Sequence, residues 1–195
     1  MKDVIGRALA RMRVEAVLPH IRGRVLDLGC GSNELVRRHR EGIGVDVHPW
    51  AGVNLVIEDS SKLPFEAHAF DAIALIASLN HIPNREDALD ECRRVLRPDG
   101  RVVVTMLKPL TSRIWHWLRA PWDSDQRERG TKDGEVYGFT TRQLLQMFDR
   151  HGFELVSQHP FMLRFNRVYV FRMKGSAVEE FSSVAARAMD LSVSQ

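Results

Sequence analysis

A chain of 195 residues with 44% hydrophobic and 27% charged residues has the size and balance of one water-facing domain with a real core. The net charge of +3 is too slight for a nucleic-acid footprint unless the basic residues cluster on one face, and the two cysteines, Cys30 and Cys92, are too few for a disulfide framework or a zinc site. Apolar runs such as Ala72–Leu79 and Val102–Leu107 are too short to cross a bilayer, and nothing near the basic N-terminus reads as a cleavable leader, so a reducing cytoplasm is the expected location.

Val4, Ile5, Ala8, Leu9, Met12 and Ala16 recur at helical spacing and predict an amphipathic helix over residues 3–18, ended by Pro19 and Gly23. Arg24–Leu28 is a short apolar strand that runs into Gly29-Cys30-Gly31-Ser32-Asn33 and a short helix near Glu34–Arg40. Gly42–Val47, with Asp46 at its end, and Val53–Glu58 read as the second and third strands. Phe70–Ala77 is apolar but for Asp71, as expected of a parallel strand buried on both faces. Arg85–Leu96 carries Ala88, Leu89, Cys92, Val95 and Leu96 on one helical face, Arg97–Gly100 is a turn, and Arg101–Met106 is a fifth strand. A helix over Thr141–His151 is closed by Gly152, and Phe153–Gln158 with Asn166–Met173 forms a hairpin.

This order predicts an α/β fold: a doubly wound, seven-stranded, mostly parallel sheet ending in an antiparallel hairpin, with helices on both faces. The expected organisation is an N-terminal helix over 1–19, one domain over 20–174, and a C-terminal tail over 175–195. An insertion over 108–138 holds Trp115, Trp117 and Trp122 of the four tryptophans.

The sharpest motif is Val25-Leu26-Asp27-Leu28-Gly29-Cys30-Gly31. A strand that breaks into a glycine turn and opens a helix lets backbone approach a ligand closely, but dinucleotide-binding folds share it. Here the strand end carries Asp27, the pattern stops at Gly-x-Gly with Asn33 where a third glycine would stand, and Asp46 ends the next strand, placed to accept from two ribose hydroxyls. Alone, either aspartate reads equally well as a turn carboxylate.

Five segments in order, VLDLGCGSNEL, GIGVDVHP, IEDSSKLPFEAHAFDAI, LNHIPNREDALDECRRVLRPDGRVVV and GFTTRQLLQMFDRHGF, resemble the class I methyltransferases that use S-adenosylmethionine (SAM), in particular the small-molecule branch similar to ubiquinone/menaquinone-biosynthesis enzymes. The resemblance spans about residues 24–155 and implies a Rossmann-like methyltransferase fold with SAM as cofactor and S-adenosylhomocysteine as product. It implies that Gly29, Cys30 and Gly31 pass beneath the methionine part and that Asp27 holds its ammonium. It further places Asp46 on the ribose diol, Val47 against the adenine, Asp59 and Ser60 at the adenine edge, and Ala74 and Leu75 near the methionine backbone. Asn33 departs from the family's usual third glycine.

Methyl transfer is an in-line displacement with a neutral thioether leaving, so alignment and water exclusion matter most and a base is optional. His81, and less directly His116, are the candidate bases; loop ordering or substrate contact is the other reading of His81. Trp115, Trp117 and Trp122 with Arg127 would line the acceptor side, or the tryptophans would pack on the domain. Glu128–Tyr137 also resembles a stretch of methyltransferases from sugar and lipid pathways. The first helix would serve as a lid over the cofactor or touch an anionic membrane.

The expected partner is a small-molecule acceptor, with no nucleic acid, no stable membrane insertion, no metal, and a monomeric or homodimeric state. A nicotinamide dehydrogenase predicts a third glycine and a downstream catalytic set that are missing. An RNA or protein methyltransferase, or a non-catalytic SAM-binding protein, remains as an alternative.

Overall fold

A computed structural model describes residues 4–107 and 138–176. The first helix, α1 (Val4–Val17), passes through a single 3-10 turn, Leu18–His20, into strand β1 (Val25–Leu28). Helix α2 (Glu34–His39), strands β2 (Gly42–Asp46), β3 (Leu55–Val56) and β4 (Phe70–Ile76), helix α3 (Arg85–Val95) and strand β5 (Leu96–Leu107) follow. Helix α4 (Thr141–Arg150) and strands β6 (Phe153–Phe161) and β7 (Asn166–Met173) complete the described chain.

The seven strands form one sheet in the order β3-β2-β1-β4-β5-β7-β6, with β1 to β5 parallel and β7 antiparallel to both β5 and β6. This is the predicted doubly wound sheet with its terminal hairpin. The direction of strand succession reverses between β1 and β4, and such a switch point leaves a crevice beyond the carboxyl ends of the strands.

Alternation along the strands divides the core into two layers. Ile73, Leu75, Val102, Val104, Tyr169 and Phe171 face α3 and α4, where the rings of Phe148 and Phe171 stack at 3.9 Å. Ala72, Ala74, Val103, Val168 and Val170 face the opposite way, onto Val14 and Val17 of α1 and Leu35 of α2. Burying both faces is what made Ala72–Ile76 of β4 and Val102–Val104 of β5 read as apolar runs.

The structure departs from the expected elements mainly at edges. The third strand is only Leu55–Val56, because residues beyond it turn to form the cavity wall rather than a ladder. Arg97–Gly100 stays out of register: Phe70 pairs with Leu96 and Ala72 next with Arg101, so the expected turn is a bulge inside β5. The hairpin strand β6 runs on to Phe161, with Pro160 tolerated because β6 is an edge strand. Residues 108–137 and the tail beyond 176 lie outside the described residues.

A candidate cofactor site at the carboxyl ends of the strands

A cavity of about 530 Å³ opens where the topology places it, beyond the ends of β1, β2 and β4. It is walled on one side by Ala10, Arg13 and Val14 of α1 and floored by the glycine turn after β1.

The turn is built around two left-handed glycines. Gly29, at φ +75°, packs so closely on Ser78 that a Cβ there would come within 2.5 Å of the serine Cβ. Ser78 in turn donates its hydroxyl to the carbonyl of Leu28 at 2.7 Å, tying the end of β4 to the end of β1. Gly31, at φ +51°, faces open space, and a Cβ there would meet nothing within 4 Å. The amides do not point into the cavity as a dinucleotide site requires. Gly29 and Cys30 donate to the Val45 carbonyl, Gly31 to Asp46 Oδ2 and Asn33 to the Cys30 carbonyl. Helix α2 has only six residues and opens on Glu34, whose side chain lines the cavity. A pyrophosphate would meet carboxylates here, where helix N-terminal anion sites offer free N–H groups. The glycines grant close approach to a ligand that carries no phosphate.

Asn33 fills the place of a third glycine. It is 2% exposed, holds a left-handed φ of 56°, and donates to the Gly52 carbonyl at 2.8 Å and Asn54 Oδ1 at 2.7 Å. It thus ties the glycine turn to the segment after β2.

The carboxylates differ sharply in setting. Asp27 is 2% exposed, and its Oδ1 is buried without a hydrogen-bond partner. Burial, with the nearby Asp46 carboxylate adding to it, pushes its pKa up to about 7. Asp46 accepts from Gly31 N at 2.9 Å and His48 N at 3.0 Å, which fixes its orientation while leaving lone pairs for a ligand. Asp59 accepts at Oδ1 from Ser61 N, Ser61 Oγ and Asn84 Nδ2, and the Ser61 amide first, then Asn84, hold its carboxyl below the usual range. Burial, then Asp27 and Asp46, push the Cys30 thiol far up, so it stays protonated and is no nucleophile.

A buried acceptor without a partner, beside a second anchored carboxylate, suits a ligand that brings an ammonium and a diol. With Glu34, Glu58 and Asp59 also on the wall, the cavity is acidic in a chain of net charge +3. Among the described residues no group of three or more His, Cys, Asp or Glu side chains is arranged to hold a metal ion.

Asp27, Gly29, Cys30, Gly31, Asp46, Val47, Asp59, Ser60 and His81 all line this one cavity. Ala74 and Leu75 do not. They are 0% and 1% exposed in mid-strand, packed into the two core layers, and the wall expected of them is made by Ile76, Ala77 and Ser78. The reason is a kink: Ala77 takes a left-handed φ of 54° and donates its amide to Thr105 Oγ1, turning the chain over the cavity only after Ile76. His81 lies on a short 3-10 turn, Leu79–His81, with Nε2 3.0 Å from Asn80 Nδ2, a contact whose direction is set by the ring's tautomer. Sequence reasoning missed Trp50, which lines the cavity with its ring 4.0 Å from that of His48, and Arg13 of α1. The signal for Trp50 was its place four residues after Asp46. His116, Trp115, Trp117, Trp122 and Arg127 fall outside the described residues.

The family described as "Methyltransferase domain" matches residues 26–104, which span β1 to β5. The chain is 25% identical to the ubiquinone/menaquinone biosynthesis C-methyltransferase UbiE of Ectopseudomonas mendocina, over 82% of this chain and 77% of the relative. It is 26% identical to the demethylmenaquinone methyltransferase of Thermotoga maritima, over 73% and 75%. Among solved structures, a SAM-dependent methyltransferase from Thermotoga maritima superposes with a TM-score of 0.62 at 18% identity, covering 84% of this chain and 89% of that one, a likeness of fold. Residues 26–104 thus resemble a methyltransferase domain, and the fold is that of SAM-dependent methyltransferases.

Proposed function

We propose that the protein transfers the methyl group of SAM to a small-molecule acceptor that enters from the side of residues 108–138. The observation that carries this reading is Asp27, which lines an acidic cavity beside Asp46 and whose buried Oδ1 has no hydrogen-bond partner. Asp27 holds the ammonium of the methionine part, with the turn Gly29-Cys30-Gly31 beneath it. Asp46 takes the ribose diol. Val47 and Trp50 flank the adenine, and Asp59 with Ser60 reads its edge. Helix α1 covers the pocket with Ala10, Arg13 and Val14, which supports its role as a lid.

SAM supplies an electrophilic methyl group on a sulfonium. The chain's task is to fix that group, shut out water and align the acceptor. His81, on the lining near the end of β4, orders the acceptor and takes its proton where the nucleophile carries one. The insertion leaves β5 after Leu107, at the same end of the sheet, which supports acceptor recognition by Trp115, Trp117, Trp122 and Arg127. The relatives' names point to quinone-biosynthesis phenols and to methylation at carbon, so such rings head the acceptor screen. The expected state is a monomer or homodimer.

Calorimetric titration with SAM, S-adenosylhomocysteine and NADH is the first test. Micromolar binding of both adenosyl ligands and none of NADH is expected; tight NADH binding with no adenosyl binding would sink the reading. Transfer of a labelled methyl group to phenols, with none to RNA or protein, then separates a small-molecule enzyme from its alternatives.

A further inference from the structure

The hairpin between β6 and β7 turns through Met162-Leu163-Arg164-Phe165, and its backbone is strained. Met162, Leu163 and Arg164 have φ of 50°, 53° and 67°, three successive non-glycine residues in a conformation that a Cβ disfavours. The effect is to thrust apolar side chains outward: Leu163 is 88% exposed and Phe165 52%. The base of the turn is held, since Asn166 is fully buried, Phe165 N donates to the Met162 carbonyl, and Phe161 packs on the layer containing Val14 and Val17. Strain kept in a well-anchored turn, with a leucine and a phenylalanine as its outcome, points to use of the tip.

Position and charge narrow that use. Ile76 pairs with Thr105 and Thr105 with Val168, while Leu107 pairs with Asn166, so the tip stands just beyond the cavity end of the sheet. From Leu155 to Ser176 the chain holds no aspartate or glutamate, but it carries Arg164, Arg167, Arg172 and Lys174. Arg172 is paired with Glu154 and Lys174 with Asp149, whereas Arg164 is exposed at the tip. Helix α1 runs from the cavity, where Ala10 and Arg13 line it, to His20 beside Arg101 at the far end of the sheet. Its exposed Arg7, Arg11 and Met12 therefore stand at the cavity end as well. The tip is convex and narrow, a shape that enters a headgroup layer, with arginine beside the apolar pair to meet phosphate.

We propose that the tip Met162–Phe165, aided by Arg7 and Arg11 of α1, docks the cofactor-cavity end of the protein reversibly onto an anionic phospholipid surface. Leu163 and Phe165 enter the interface, and Arg164 meets the headgroup phosphates. The contact is peripheral and salt-sensitive, and it would set the acceptor side of the cavity against the layer from which a lipophilic acceptor comes.

Co-sedimentation with vesicles of phosphatidylcholine, alone or mixed with phosphatidylglycerol, tests this with the full chain. Binding to the mixed vesicles, weakened by salt, and little to phosphatidylcholine is the expected result. Arg164→Gln should lower partitioning about fivefold, the share of one cation at such a surface. The double change Leu163→Ser with Phe165→Ser should lose more, with SAM affinity and thermal midpoint unchanged. A single tryptophan placed by Leu163→Trp should shift its emission to the blue on mixed vesicles. Equal binding to both vesicle types, no binding to either, or unaltered binding by the double variant would overturn the proposal. So would a concentration-dependent dimer that Leu163→Ser abolishes, which would assign the tip to a second copy of the chain. Each outcome is separate from SAM binding, which titration measures on its own.

Discussion

Replacing Asp27 by asparagine removes a carboxylate that the fold keeps out of water. Its pKa is pushed up to about 7 by burial and then by Asp46, against an ordinary value of 3.8. The ligand-free protein therefore holds Asp27 protonated below neutrality, and a cationic ammonium must recruit the ionised form. With a folded pKa near 7, the ionised fraction falls about 25-fold between pH 7.5 and 5.5, so SAM affinity should weaken by about 1.9 kcal/mol over that range. Binding near neutrality should release about half a proton, read from titrations in buffers of different ionisation enthalpy. Asp46, Glu34, Cys30, Arg13 and His81 face the same cavity. Asp27→Asn is the control that isolates one group. It should bind SAM weakly and with little pH dependence. Stability moves the other way. Between about pH 4 and 7 the unfolded chain releases the Asp27 proton while the folded chain keeps it, so stability falls through that window and the loss is complete above it. The asparagine variant should thus melt higher than the parent near pH 8. A wild-type affinity flat from pH 5.5 to 7.5, or a variant that binds SAM as tightly as the parent, would refute the reasoning.

Asp46→Ala should weaken SAM binding by about 2–3 kcal/mol, since it removes a charged acceptor for two hydroxyls; calorimetry showing unchanged binding would remove Asp46 from the site. Asn33→Gly keeps the left-handed backbone but loses the bonds to Gly52 and Asn54, so urea unfolding should show a loss of about 1–2 kcal/mol. Asn33→Ala should cost about 1 kcal/mol more, because alanine resists that φ. His151 bridges Asp90 and Glu86, each at 2.6 Å, and joins α4 to α3. Its partial burial opposes charge, but those two hydrogen bonds outweigh it and raise the pKa above 6.5. Its stabilisation is therefore complete below pH 6.5 and is lost as pH rises through the raised value. The melting deficit of His151→Gln should be larger near pH 5.5 than near pH 9, and a deficit independent of pH would remove the charged bridge.

The order of elements was legible because the periods of this chain are clean. Phe70–Ile76 and Val102–Met106 read as doubly covered strands, and the helical face of Ala88, Leu89, Cys92 and Val95 is buried as its spacing predicts. The glycine turn, Asp27, Asp46, Asp59 and Ser60 were legible as neighbours on one cavity because each lies at or just beyond the carboxyl end of a parallel strand, and the topology gathers those ends at one edge. What stayed hidden depended on contacts far apart in sequence. Nothing in the Ala74-Leu75-Ile76-Ala77 run says where β4 kinks; that is set by Thr105 on the next strand. Nor does the sequence show that the turn amides would be satisfied by Val45 and Asp46, which is what separates this cradle from a phosphate-binding one. Trp50 was overlooked because the other three tryptophans crowd one segment.

Asn33 and Gly44 occupy each other's space. A Cβ on Gly44 would fall 2.1 Å from Asn33 Oδ1, so the asparagine lies where a neighbouring strand has no side chain. The two positions are therefore epistatic. Gly44→Ala should be ruinous alone, yet milder in combination with Asn33→Gly, which removes the closest clash and leaves the 2.9 Å approach to Cys30 Cβ. In lineages of related chains, the residue at 44 should gain a methyl only after 33 has become small, and an ancestor that kept glycine at both would have been free to evolve in either direction.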